Sequence, residues 1–519
     1  MDTKEILRYC IEKGVLIDSE ALNLLKETAD STSAKLIIEK LRNHTQRRVI
    51  TKTLFEENKE KISKLFLELP NESQKSLESL KIKLGLEIEI SRVSSSPVKK
   101  EEVLDGNDEA QVKVLTETPN FNKKIDLQDF VINLKNRFTE LRNILQDHRE
   151  LENLVSINKL SKSQKSSIIG IIYEKRVTKN KNILLEVEDL TGRTRVLINQ
   201  NKPELYAMAE DITLDSVLGF SGFGDNEIFF ANNIVFPDAA LFEKKNSPVE
   251  EYVAFISDLQ FGSKLFLKDQ FEKFIHYLSD DGPNDPEVKK IKYLFIVGDL
   301  ISGVGVYPSQ LNDLEIGDIE EQYIQISKLL KRVRKDIKII ISPGNHDGVR
   351  LQEPQPLMDE KFAWPLYKME NVILTGNPSI INIGARDDFP GFNILTYHGY
   401  SYPYYYNNIP SLINADAINS PEKIMKYVMK YRHLAPSYGS IQYVPYEKDE
   451  LVIRDVPDIF VSGHLHKSGI TSYNGILVIA CSTWEAETEN QKKRGNKPDF
   501  CKVPLMNLKT RAIKILDFE

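Results

Sequence analysis

Between about residues 250 and 480 the chain alternates short aliphatic runs with polar stretches, and five of those runs stop on chemistry. YVAFIS, KYLFIV, IKIIIS, FNILT and DIFVS each read as a buried strand, because strands covered on both faces carry near-continuous apolar sequence. They lead into SDLQ (Ser257–Gln260), GDL (Gly298–Leu300), GNHD (Gly344–Asp347), YHG (Tyr397–Gly399) and GHLH (Gly463–His466). Polar residues at the carboxyl ends of neighbouring strands converge on one rim of a sheet. The pattern predicts a large α/β domain over 246–519 with a polar site along that rim.

Upstream the periodicity changes twice. From 159 to 245 it is two, in SSIIGIIYEKRV, NILLEVED, RTRVLIN, DSVLGFSGFG and EIFFANNIVF, with one helical PELYAMAE before the fourth run. Short strands punctuated by Gly, Asn and Asp turns predict a five-stranded Greek-key barrel of the oligonucleotide-binding (OB) type. Its Phe220, Phe223, Phe229 and Phe230 fit either the barrel core or a stacking surface. Residues 126–158 carry a helical pattern (Phe130, Leu134, Phe138, Leu141, Leu145), predicting a helical connector. Residues 91–125 are rich in Ser, Pro, Gly and charge, the composition of a linker. Residues 1–90 show helical spacing without catalytic residues, predicting a helical module that docks a partner. The fold class expected is therefore multidomain α/β: helical N-terminal module, OB-fold barrel and a large α/β domain.

Composition narrows the partners. At 519 residues the chain exceeds one core. The net charge of -7 gives no global attraction to nucleic acid, so any DNA contact must be local. No run of about 18 apolar residues predicts a membrane span, and the N-terminal MDTKEILRYC lacks a signal-peptide core. Cys10, Cys481 and Cys501 fit neither a disulfide framework nor a zinc spacing.

The five motifs supply what two divalent cations need: carboxylates (Asp258, Asp299), an amide oxygen (Asn345) and imidazoles (His398, His464, His466). His346 stands where it could give a proton to a leaving oxygen. Taken alone, a Gly-Asp at a strand end is a turn and a lone His-Gly means little. The ordered set is specific, because four of the eight histidines in the chain fall inside it.

That order, D-x-[H/Q], GD, GNHD, HG, GHxH, resembles the calcineurin-like metallophosphoesterase superfamily. The flanking wording, in Gly298–Tyr323, Ser342–Pro356, Tyr431–Gly439 and Pro457–Gly469, is similar to the small-subunit family of the archaeal D-family DNA polymerases. The resemblance implies a metal-dependent 3′-to-5′ exonuclease on single-stranded or mispaired DNA ends. It implies a separate large subunit that carries the polymerase, and a cytoplasmic, nucleoid-associated location. Sliding clamp and primase are further partners to consider, although no clamp-binding peptide stands out. By the same resemblance Asp258, Asp299 and His466, with Gln260, would hold one cation. Asp299, Asn345, His398 and His464 would hold the other, with His346 at the leaving oxygen. Manganese is the favoured occupant, with magnesium, iron or zinc as other occupants the donor set admits.

One position departs from the superfamily pattern: Gln260 stands where histidine is usual. An amide oxygen is neutral and a poorer donor to a transition metal. Two expectations follow, a weakened first cation with surviving activity, or a non-catalytic scaffold. A free-standing phosphatase would need neither the barrel nor the helical module. The aromatic Tyr400–Asn408, Arg350, Arg432-His433 and the basic Lys492–Pro498 fit nucleic-acid contact or ordinary packing and ion pairing. For Trp484 and Phe500 the choice is between a partner face and the core.

Overall fold

The computed structural model describes residues 124–519 except 162, 163 and 387, together with 111–116 and short pieces of the first 92 residues. Residues 1–90, with 470–472 and 512–515, form one compact unit and the remainder a second. In the first unit a helix spans Thr3–Glu12 and Leu16–Ile17 pairs in parallel with Val49–Ile50. The rest of the helical module expected over 1–90 lies outside the described residues, as does most of the linker expected over 91–125.

The second unit begins its continuous stretch with helix α1 (Leu127–Leu145), started by Asp126, whose carboxylate accepts from the Gln128 and Asp129 backbone N–H groups. That satisfies two donors a helix start leaves bare. The connector expected over 126–158 is helical only to Leu145. Phe138, Leu141 and Leu145 pack against Leu151, Ile169 and Val217, and the following QDHRELE offers that core only Leu151. Part of the expected linker is also structured. Val112–Val114 pairs antiparallel with residues 381–383, since the alternating QVKVL can extend a sheet edge where the preceding charged sequence cannot.

The barrel closes as expected from the period-two pattern. Its strands are β1 (Ser166–Val177), β2 (Ile183–Glu188), β3 (Arg193–Ile198), β4 (Val217–Gly224) and β5 (Ile228–Val235), in the order β1-β2-β3-β5-β4, with α2 (Pro203–Glu210) before β4. Phe220 and Phe229 are fully buried in it, whereas Phe223 and Phe230, cross-strand partners, are about half exposed.

The larger domain holds two sheets. In the first, β6 (Tyr252–Ile256), β7 (Ile291–Val297), β8 (Lys338–Ser342) and β9 (Val372–Leu374) run parallel, and β14 (Lys502–Asn507) joins β6 antiparallel. In the second, β10 (Ser379–Ile383) pairs antiparallel with β11 (Phe392–Thr396). Strands β11, β12 (Ile459–Ser462) and β13 (Ile476–Ala480) run parallel. One face of the first sheet (Ala254, Ile256, Leu294, Ile296, Ile339, Ile341) packs with Phe271, Phe274, Tyr323, Ile326 and Trp484. The alternate residues Val253, Phe255, Phe295 and Ile340 are just as buried, so both faces are covered, as the aliphatic runs require. Trp484 therefore belongs to the core. No helix among the described residues is long and apolar enough to cross a membrane.

The barrel and the second sheet share one apolar cluster through Tyr402, Tyr405, Tyr427 and Tyr431. Tyr427 and Tyr431 each donate a hydroxyl hydrogen bond to the Asp211 carbonyl, at 2.7 and 3.1 Å. The tyrosine run is thus largely packing. Arg350 and Arg432 are also occupied within the fold, Arg350 on the Pro354 carbonyl and Tyr446 Oη, Arg432 on the Ile453 carbonyl.

Candidate metal centre

Strands β6, β7, β11 and β12, with the loop after β8, deliver the five motifs to one place. The backbone leaves each strand sharply: φ is 49° at Asp258, 50° at Gln260, 52° at Asp299, 71° at His464 and 56° at His466. Left-handed conformations cost non-glycine residues about 1–3 kcal/mol each, and they gather where function fixes them. Two glycines make the approach possible. A Cβ on Gly298 would stand 2.2 Å from His398 Nδ1, and one on Gly344 2.2 Å from Asp299 Oδ1. No side chain fits at either position.

Asp299, almost fully buried, is the hub. Its Oδ2 accepts from Gln260 Nε2 at 2.8 Å and lies 3.4 Å from His398 Nε2 and 3.9 Å from His346 Nε2. Its Oδ1 accepts from the His346 backbone N–H at 2.9 Å. His398 Nε2 is 3.2 Å from Asn345 Oδ1 and 3.3 Å from His464 Nδ1. Ligand atoms of Asp299, His398 and His464 all lie within 4.8 Å of one another. On the other side, Asp258 Oδ2 accepts from the Ser257 hydroxyl and from the His464 backbone N–H. Asp258 Oδ1, buried, makes no hydrogen bond, although His466 Nε2 stands 3.3 Å away.

These features fit divalent cations. A bare buried carboxylate oxygen costs about 1–3 kcal/mol or more unless something pairs with it. Two imidazole nitrogens 3.3 Å apart repel unless a proton or cation lies between their lone pairs. The outer contacts also suit ligation. His398 Nδ1 is 3.1 Å from the Val297 carbonyl, an acceptor that keeps the proton there and turns Nε2 inward as the donor atom. Burial raises Asp299, but His398 and His346 outweigh it and hold the carboxyl well below its usual range. Burial lowers His398, yet Asp299 carries it up to about 10. Burial and the neighbouring His398 push His464 down to about 3, so it stays neutral and able to ligate. Asp258 and His466 shift as a pair. Burial opposes both charges, and their attraction lowers the carboxyl and raises the imidazole.

Asp258, Asp299, His398, His464 and His466 thus meet at one rim, with Asn345 and His346 beside them. Gln260 is present too, but it turns its amide N–H toward Asp299 rather than offering an oxygen. Of the tyrosine run only Tyr400 reaches the site, its ring 5.6 Å from that of His464.

The sequence reading missed the outer supports. Asn377 Oδ1 accepts from the His398 backbone N–H at 2.8 Å, and no local pattern marks it. Asp347 is the fourth letter of GNHD, where only Asn345 and His346 were given chemistry. It accepts from the Gly344 and Ile301 backbone N–H groups at 2.7 and 3.0 Å and so folds that loop under Asp299. Gln491, 2.7 Å from His466 Nδ1, stands just ahead of the segment read as a basic loop. Its signal was the Thr488–Gln491 spacing of a capping box.

Residues 252–468 match the family model of the calcineurin-like phosphoesterases. The DNA polymerase II small subunit of Pyrococcus furiosus is 36% identical over 395 residues, covering 74% of this chain and 62% of that protein. The Methanothermobacter thermautotrophicus small subunit is 30% identical over 522 residues, covering 99% of both chains. That of Thermoplasma acidophilum is 33% identical over 407 residues, covering 77% of this chain and 80% of the other. The Pyrococcus relative is thus matched over less than two thirds of its own length.

Proposed function

The chain belongs to the DNA polymerase II small-subunit family, and from that premise we propose that it is the accessory subunit of a two-subunit archaeal DNA polymerase. On this reading a separate large subunit carries nucleotide addition. The phosphoesterase domain removes nucleotides from single-stranded or mispaired 3′ ends in a metal-dependent hydrolysis. The observation that supports it most is the meeting of Asp299, His398 and His464 with the bare Asp258 Oδ1 and His466, inside a domain matching the phosphoesterases.

Asp299, Asn345, His398 and His464 would hold one cation, and Asp258, Asp299 and His466 the other, with manganese the preferred occupant for this mixed oxygen and nitrogen set. Such a pair polarises the phosphate and steadies the attacking and departing oxygens of an in-line displacement. The protein's own groups do the rest. His346 Nδ1 lies 2.8 Å from the Ser302 carbonyl, which keeps that nitrogen protonated and aims Nε2 at the site. Nε2 then gives a proton to the departing 3′ oxygen when the ring is imidazolium. Tyr400, half-buried beside His464, offers a ring on which a frayed base stacks. Phe223 and Phe230, half exposed on the barrel, offer a second, more distant platform.

The second reading, a scaffold subunit with little hydrolysis, is favoured by Gln260. Its amide nitrogen donates to Asp299 Oδ2, which leaves the first cation short of the ligand that histidine would supply. One assay separates the two readings. Degradation of a 3′ single-stranded end is followed with added manganese, for the wild-type chain and Asp299→Asn. Manganese-dependent loss of nucleotides that disappears in the variant supports the nuclease, and equal residual rates leave only the scaffold.

A further inference from the structure

The segment from Thr488 to Asp499 grips the GHLH motif from outside at three points. Gln491 Nε2 meets His466 Nδ1 at 2.7 Å, Asn496 Nδ2 donates to the Leu465 carbonyl at 3.0 Å, and the Asp499 backbone N–H donates to the His466 carbonyl at 2.8 Å. Lys467 Nζ pairs with Asp499 Oδ1 at 2.8 Å. The orientation of the Gln491 amide is set by its own helix. Its Oε1 accepts from the Thr488 backbone N–H at 2.8 Å and from the Thr488 hydroxyl at 3.1 Å, while the Gln491 backbone N–H returns to that hydroxyl at 3.3 Å. This reciprocal cap starts helix α3 (Glu489–Arg494).

With Oε1 held by Thr488, the amide presents N–H to His466. A donor facing Nδ1 requires a lone pair there, so a neutral ring carries its proton on Nε2, the nitrogen facing Asp258. A ring that ligates through Nε2 needs the reverse arrangement: proton on Nδ1, acceptor outside it. Turning the amide over supplies that acceptor as Oε1, and it removes the partner of the Thr488 N–H. The cap and the ligand-ready form of His466 therefore compete for one oxygen.

We propose that Gln491 is a positioning residue for His466, and that cation uptake on the Asp258–His466 side is linked to release of the cap on the basic helix Glu489–Arg494. The proposal rests on the metal-site reading above. It adds a second reason, besides Gln260, for this side of the site to hold its cation less firmly.

The test is calorimetric titration of the full chain with manganese chloride alone, in wild type, Gln491→Glu and Gln491→Leu. A carboxylate accepts from Nδ1–H without having to turn, so Gln491→Glu is expected to tighten the weaker manganese event by about tenfold. Gln491→Leu offers no acceptor and is expected to weaken it by about tenfold, within the 10–100-fold range of such outer contacts. Hydrogen exchange at the Thr488–Gln491 amides supplies a second readout, rising when manganese is added to the wild type and not to Gln491→Leu. Equal affinities in all three proteins, or exchange indifferent to manganese, overturn the proposal while leaving the metal site standing. A wild-type chain that takes up no manganese overturns the metal-site reading and the proposal with it. Loss of binding in both variants reduces Gln491 to a packing role and also overturns it, because the glutamate is the rescuing substitution.

Discussion

Two clusters of buried charge lie in the larger compact unit, both built around buried aspartate and histidine, and they are finished differently. Both carboxylate oxygens of Asp449 are answered. Arg137 Nε lies 2.6 Å and His433 Nε2 3.0 Å from Oδ2, the Leu451 backbone N–H donates to Oδ1 at 3.1 Å, and Arg137 also donates to the Pro436 carbonyl at 2.7 Å. Around Asp299 and Asp258 one carboxylate oxygen is bare and two imidazole nitrogens face each other. The backbone carrying that second cluster is left-handed at Asp258, Gln260, Asp299, His464 and His466, against Arg432 alone beside His433 in the first. A closed network clamps α1 to the loop between residues 431 and 455. The open, strained one has the donor set that the proposed cations would complete. Burial of Asp and His therefore does not mark a functional site, and incomplete pairing with local strain does.

The sharpest break of that comparison is to neutralise each hub. Asp299→Asn keeps the shape but removes the charge shared by both proposed cation sites. Exonuclease rate should fall on the order of 10⁴-fold, about 5 kcal/mol of transition-state stabilisation. The melting temperature should fall less than in Arg137→Ala, since asparagine keeps an oxygen for the His346 backbone N–H, although the imidazoles that hold the carboxyl low lose their counter-charge. A large loss of Tm would place Asp299 with the structural cluster instead. Arg137→Ala makes the opposite case. Removing one partner of a buried ion pair strands the other and costs about 3–5 kcal/mol. Denaturant unfolding should show that loss, while manganese affinity in the protein that remains folded stays at the wild-type value.

The sequence made one of these clusters visible and hid the other. The candidate ligands at the rim stand at the ends of aliphatic runs, where a polar residue has no packing reason to be, so Asp258, Asp299, His398 and His464 were legible from pattern. The barrel was legible for a similar reason, because its period of two matches the alternation of SSIIGIIYEKRV about a buried face. Arg137 was not, since it lies on a helix whose pattern predicts only an apolar stripe. Its partner is more than 300 residues away, and no local period encodes such a contact. For the same reason Arg432-His433 left phosphate contact and ion pairing open as readings. Gln491 went unmarked just ahead of a basic run, and Asn377 carried no signal at all. The strand at Val112–Val114 was lost because three residues on a sheet edge look like linker until the edge is known.

Gln260→His sharpens the comparison within the open cluster. It replaces an N–H donor to Asp299 with an imidazole able to ligate, which should strengthen the Asp258–His466 side relative to the other. The manganese concentration giving half-maximal nuclease rate should fall about tenfold, roughly 1.4 kcal/mol of binding. A value unchanged from wild type would mean that Gln260 already serves the cation through its oxygen, and the distinction drawn between the two sides would collapse.

The last effect expected is a pH slope to which the closed cluster contributes through His433. Burial, then the neighbouring Arg137, press His433 down to about 4 despite its bond to Asp449. The Ala435 backbone N–H donates to its Nδ1 at 3.0 Å, which also favours the neutral ring. Between the ordinary histidine range near 6.5 and about 4, the unfolded chain takes up a proton that the folded chain refuses. Stability from this group is therefore complete above pH 6.5 and falls as pH drops toward 4, by at most about 1.4 kcal/mol per unit. Thermal unfolding of the wild type and His433→Gln across that window checks the assignment. The glutamine keeps an N–H for Asp449 and cannot titrate, so the variant's Tm should lose the part of the slope due to this ring. If the two profiles run parallel, His433 does not titrate on unfolding, and the closed network is not held by a neutral imidazole.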